Sequence, residues 1–373
     1  FDRAGRGRPE TLALYNGSDT AVTGALCPPT SLVIFASGSD GLRFERCVAT
    51  ALPAATSVRL FAGRFDYSSP GQTVGFLLPL EGAPAWFGHF AVNRTSGALT
   101  FPPTDRRNPA IPVATELVAA ADLDGDGFDE VVLQTNERPA RVLLARHFCL
   151  DADTCALSND VPLVQRTLEG FAGRPSVFVG ALGDRPELLV GTPGMAELRT
   201  FRYAASALVP ARPLPTLRRL GVDFDVLAVD LDTDDRADLV VAGDEVTVQL
   251  GDGRGGLSPG DRWRVPGSSA LTPLPVAGLA VVSGRDVELL GARHGQLHFA
   301  DRAPLLRRPS PHAFATLAGE VLLLAGEELT VASASREAGA PRLVLRAGTS
   351  PAVGALTYPW PGAGAFPLVA ANP

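Results

Sequence analysis

Asp122-Leu-Asp-Gly-Asp-Gly-Phe-Asp-Glu130 runs directly into the apolar stretch Val131-Val-Leu133, and the pattern recurs as Asp230-Leu-Asp-Thr-Asp-Asp-Arg-Ala-Asp238 before Leu239-Val-Val-Ala242. Carboxylates at positions 1, 3 and 5 of so short a segment repel one another unless a cation neutralises them. A set of oxygen ligands favours Ca²⁺. An EF-hand would need a bidentate Glu at position 12 and a following helix, but Leu133 and Val241 stand there. The last carboxylate falls instead at position 9, at the mouth of a run rich in β-branched residues and Leu. Each loop therefore reads as a metal-holding turn between two strands.

The expected ligands of the first loop are Asp122, Asp124, Asp126 and Glu130 with the Phe128 carbonyl; those of the second are Asp230, Asp232, Asp234 and Asp238 with the Arg236 carbonyl. Two Ca²⁺ ions follow. Gly127 suits the tight turn at position 6, whereas Asp235 must adopt a left-handed or strained backbone there, making the second site the less well formed. The competing reading is a pair of solvated acidic turns without metal.

With 39 Gly and 32 Pro among 373 residues, long helices are excluded, and apolar runs of five to eight residues between these breakers indicate many short strands. No linker or charge block divides the chain, so one all-β domain over 1–373 is expected. A net charge of −7 offers no basic footprint for nucleic acid, although all 33 basic residues are Arg. No run approaches the ~18 apolar residues of a membrane helix. The chain opens at Phe1 rather than Met, which suggests a removed leader. Four cysteines support export to a secreted, cell-surface or periplasmic location. Three connectivities are open; their placement suggests Cys27 with Cys47 and Cys149 with Cys155.

The strand after each acidic loop recurs in weaker form. The position-9 residue and its apolar run can be read at Glu10, Thr73, Glu130, Glu187, Asp238, Gly278 and Glu320, which makes seven repeats. Phe366-Pro-Leu-Val-Ala-Ala-Asn372 reads as a strand lacking its partner, and Thr11–Tyr15 reads as that partner. Pairing the two would close a ring and remove an exposed edge. The expectation is a seven-bladed β-propeller closed by its N- and C-terminal strands.

The two loops, together with Leu189-Val-Gly-Thr-Pro-Gly194 and Leu250-Gly-Asp-Gly-Arg-Gly-Gly256, resemble the FG-GAP/VCBS repeat family, which also builds the propeller of integrin alpha subunits. The likeness is strong over 112–145 and 223–258. It implies extracellular recognition, with a protein or glycan partner at the cell surface met by loops such as 93–112, 149–162 and 203–215. No HExxH, GxSxG elbow, phosphate loop or dinucleotide fingerprint occurs. Trp86, Trp263 and Trp360 do not recur at one repeat position, which weakens a lectin reading. The expectation is therefore a non-catalytic calcium-binding adhesion or assembly module, with a lectin-like propeller or a polysaccharide-active enzyme as the alternative.

Overall fold

The computed structural model describes residues 10–15, 31–38, 41–49, 59–64, 73–80, 83–89, 91–92, 99–100, 115–145, 163–265, 268–273, 278–283, 286–293, 296–304, 311–317, 320–325, 328–337, 340–346, 356–360 and 363–366. All regular structure among them is strand. The chain divides into two compact units, 1–167 with 350–373, and 168–349.

In the first unit β1 (Glu10–Tyr15), β2 (Ser31–Gly38) and β3 (Gly41–Ala49) form one antiparallel sheet, and β4 (Arg59–Gly63), β5 (Thr73–Leu80) and β6 (Ala83–His89) a second. β7 (Ala91–Val92) pairs with β8 (Leu99–Thr100), and a further sheet carries β9 (Thr115–Ala121), β10 (Glu130–Thr135), β11 (Arg141–Ala145) and β12 (Leu163–Thr167).

In the second unit one sheet holds β13 (Ser176–Gly180), β14 (Glu187–Gly191), β15 (Glu197–Ala204), β16 (Ala207–Pro210) and β17 (Leu214–Pro215). The next comprises β18 (Asp225–Val229), β19 (Asp238–Ala242), β20 (Val246–Gly251) and β21 (Leu257–Trp263). Two more follow, β22 (Ser268–Pro273) to β25 (Gln296–Pro304) through β23 (Gly278–Ser283) and β24 (Asp286–Arg293), and β26 (Pro311–Leu317) to β29 (Ala340–Arg346) through β27 (Glu320–Ala325) and β28 (Glu328–Glu337).

The last strands, β30 (Leu356–Trp360) and β31 (Ala363–Phe366), return to the first unit. There β1 pairs with β30, with Leu12 opposite Thr357 and Ala13 opposite Leu356. The terminal strands thus share one sheet, but through 356–360 rather than through 366–372; residues 367–372 lie outside the described residues. All seven repeat anchors open strands: Glu10 β1, Thr73 β5, Glu130 β10, Glu187 β14, Asp238 β19, Gly278 β23 and Glu320 β27.

Strand alternation explains how neighbouring sheets pack in the second unit. On β18, Val226 joins Leu189, Leu198, Phe224, Leu239 and Val241 in one apolar cluster, while the next residue, Leu227, joins Val240, Val248, Leu279, Val281 and Leu290 in another. One strand pair thus serves two cores, because successive side chains leave opposite faces. Each enclosed Val or Leu stabilises by roughly 1.5–3 kcal/mol. Close sheet approach also demands small residues: a Cβ on Gly180 would run into Ala228. Both strands that follow the acidic loops, β10 and β19, are buried along their whole length, with Glu130, Gln134, Thr135 and Asp238 enclosed beside their apolar runs.

Candidate metal centres

In the first acidic loop Asp122, Asp124 and Glu130 each bring a carboxylate oxygen within 4.8 Å of the other two. The turn is shaped by its own acids. Asp122 accepts the backbone N–H of Gly125 through Oδ1 at 2.6 Å and of Gly127 through Oδ2 at 2.9 Å, and Glu130 Oε2 accepts that of Leu123 at 2.8 Å. Gly125 and Gly127 have φ of 77° and 88°, the left-handed region in which glycine meets no steric penalty.

The second loop repeats this scaffold. Asp230 accepts the N–H groups of Thr233, Asp234 and Asp235, and Asp238 Oδ2 accepts that of Leu231 at 3.0 Å. Here the left-handed positions are Thr233 and Asp235, both at φ 65°. The strain expected at Asp235 is present, and Thr233, a β-branched residue, adds a second strained position that the sequence reading did not anticipate.

The converging set here is Asp230, Asp232 and Asp234. Asp126 and Asp238 lie outside the two sets, although both stand at expected ligand positions. Asp126 Oδ1 accepts the Phe128 N–H at 2.9 Å. Asp238 accepts one amide on each oxygen, with Oδ1 accepting from Gly251 at 2.9 Å; one methylene shorter than Glu130, it stays at the strand mouth. The Phe128 and Arg236 carbonyls remain assigned by loop position alone.

Whether the second loop suits a cation is decided by Asp232. Its Oδ1 is buried without a hydrogen-bond partner, beside two further carboxylates. A buried anionic oxygen without a donor is costly unless a cation supplies the missing charge. Burial first, and the Asp234 charge second, push the Asp232 carboxyl above its ordinary range. Asp238 is also raised, mainly by burial, against the lowering effect of the Gly251 and Leu231 amides. The residues fit a hard divalent ion held by oxygen.

Sequence reasoning missed two features. Asp129, inside the quoted loop, faces Arg64 of the preceding sheet, and burial raises its carboxyl to about 6 against the lowering effect of the Arg64 amide. The other is a groove of about 500 Å³ beside the second loop, lined by Leu182, Asp184, Asp230, Asp235, Arg236 and Gly253. Position 8 of the loop gave a signal for Asp129; nothing local announced the groove. Cys27, Cys149 and Cys155 lie outside the described residues, as do 93–98, 101–112 and 149–162. Among the described residues no helix is long and apolar enough to cross a membrane.

Antiparallel sheets of this kind define an all-β, propeller-like protein. Over 98% of its length the chain is similar in fold to the periplasmic gluconolactonase of Pseudomonas aeruginosa, covering 99% of that chain at TM-score 0.57 and 16% identity. It is also similar to candidate 6-phosphogluconolactonases from Bacteroides fragilis (TM-score 0.56, 13% identity, 91% of this chain and 94% of that one) and Bacteroides uniformis (TM-score 0.55, 12% identity, 91% and 95%). No protein-family model and no curated protein sequence matches. These likenesses correct the expectation of a non-catalytic module: the three solved structures just described carry the names of lactonases. The missing HExxH and GxSxG patterns were a weak ground for that expectation, since catalytic sets are assembled by the fold rather than spelled out in short motifs.

Proposed function

We propose that the chain is an exported, calcium-stabilised, seven-bladed propeller of the FG-GAP/VCBS type, one domain over 1–373 closed by its terminal strands, that hydrolyses a sugar-derived lactone. The observation that carries this reading is the end-to-end match in fold to a periplasmic gluconolactonase. It makes a carbohydrate, free or displayed at the cell surface, the ligand class.

The metal in this reading is structural. Asp122, Asp124 and Glu130 hold one Ca²⁺ and Asp230, Asp232 and Asp234 the other, with Asp126, Asp238 and the Phe128 and Arg236 carbonyls available through loop position. Calcium supplies the positive charge that lets three acids share each turn.

In lactone hydrolysis water adds to the ring carbonyl carbon, the ring C–O bond breaks, and the hydroxy acid formed releases one proton at neutral pH. A pH-stat therefore reads turnover directly. With glucono-1,5-lactone or 6-phosphogluconolactone and the calcium-loaded protein, saturable proton release above the spontaneous rate is expected. Rates equal to the spontaneous ones for both lactones would sink the assignment.

A further inference from the structure

The two acidic loops occupy equivalent places, which makes a difference between their surroundings informative. Gly63 at the end of β4 pairs with Thr73 at the start of β5, and Gly180 at the end of β13 pairs with Glu187 at the start of β14. The next residues, Arg64 and Ala181, are therefore matched. On the loop side Asp129 and Ala237 are matched, each preceding a position-9 residue, Glu130 or Asp238, that pairs back to the strand before its loop.

In the first unit the seam is sealed. Arg64 donates its N–H to Asp129 Oδ2 at 2.7 Å, and Asp129 returns its own N–H to the Arg64 carbonyl at 2.9 Å. The Arg64 guanidinium lies 5.4 Å from the centre of the Phe128 ring. At the matched seam of the second unit Ala181 and Ala237 offer no such partners, and both line the 500 Å³ groove.

We propose that Asp129 is a latch through which metal binding in the first loop holds the end of β4, so that the ion orders a second sheet it does not touch. The inference rests on the metal reading above. Asp129 sits between loop position 7 and the ligand Glu130. Without a cation, repulsion among Asp122, Asp124 and Glu130 spreads the turn and carries Asp129 away from Arg64, breaking both hydrogen bonds together. With the cation bound, the turn contracts and both bonds form. Ala237 cannot transmit the same event, so the second metal acts on its own sheet alone.

Hydrogen exchange of the full chain, followed by mass spectrometry in saturating Ca²⁺ and in chelator, tests this. Peptides over 59–64 should exchange at least about tenfold more slowly with Ca²⁺, the scale expected for two cooperating hydrogen bonds. Asp129→Ala removes the acceptor of the Arg64 N–H but keeps the backbone bond from residue 129 to the Arg64 carbonyl, so it should cut that response at least about threefold while 122–130 still respond. Asp129→Asn, which keeps an acceptor for the Arg64 N–H, should restore it, and Arg64→Ala, which keeps the backbone, should leave it intact. Peptides over 176–181 serve as the internal control and should change by less than about twofold. A calcium response at 59–64 that is undiminished in Asp129→Ala overturns the latch, as does a response at 122–130 without one at 59–64 in the parent protein. No response at 122–130 overturns the metal reading along with it.

Discussion

Glu130 accepts the backbone N–H of Leu123 through Oε2 at 2.8 Å, bridging the mouth of the first acidic loop with both residues about 2% exposed. The carboxylate therefore has two tasks, to satisfy a buried donor and to face Asp122 and Asp124. Replacing Glu130 by Ala strands the Leu123 N–H and should cost about 1–3 kcal/mol even in chelator. Glu130→Gln keeps an acceptor, so in chelator it should match the parent and lose only the stabilisation by calcium. Urea titrations of both variants with and without Ca²⁺ separate the two tasks; identical losses for Gln and Ala would refute the division.

Asp232 gives the second loop a signature of opposite sign in the two conditions. Its buried Oδ1 has no donor, and its neighbours are acids. In chelator Asp232→Asn removes a disfavoured charge and should leave stability equal to or above that of the parent; in Ca²⁺ the same variant should be the less stable. At extracellular-type affinities, about 10 mM Ca²⁺ contributes about 1.4–2.7 kcal/mol per site, or a few degrees of melting temperature. Calorimetric melts of both proteins in both buffers provide the check, and a variant that ranks the same way in both would exclude a cation at this loop.

The strand starts and the acidic turns were legible because both are local: Glu130 and Asp238 each open a strand right after their own loop. Partners far apart in the chain were not. The donors that complete Asp129 and Asp225 come from Arg64 and Leu271, 65 and 46 residues away, and only the assembled sheets bring them near. The strand that pairs with β1 is Leu356–Trp360, whereas the expected segment lies, beyond Phe366, outside the described residues; both stretches carry strand-like residues, and a period-two pattern cannot choose between them. The likeness in fold to the gluconolactonase was illegible for a different reason. A likeness at 16% identity survives in the backbone and not in motifs.

Thr233 holds φ at 65° where the first loop has Gly125. A β-branched residue in the left-handed region is disfavoured by roughly 1–2 kcal/mol, and glycine returns only part of that through its freer unfolded chain. Thr233→Gly should therefore raise stability by about 0.5–1 kcal/mol and tighten calcium binding at the second loop alone. Isothermal titration of the variant beside the parent decides the point. An unchanged or weaker second site would mean that the strain is already offset elsewhere in the turn.

Asp225 predicts how stability depends on pH. Its Oδ2 accepts the N–H of Leu271, across from β18 to β22, at 2.7 Å, and its Oδ1 accepts that of Val226 at 2.8 Å. Burial nevertheless raises its carboxyl to about 6, against the lowering effect of these two amides. A folded-state pKa above the unfolded one means that the native state holds the proton more tightly. The contribution is then fully present below the unfolded value of 3.8 and is lost as pH rises through about 6. The full difference is roughly 3 kcal/mol at most. Asp225→Asn cannot titrate, so subtracting its stability from the parent's between pH 4 and 7 should isolate a term that falls as pH rises. A difference that is flat, or that climbs with pH, would show that the two amides outweigh burial.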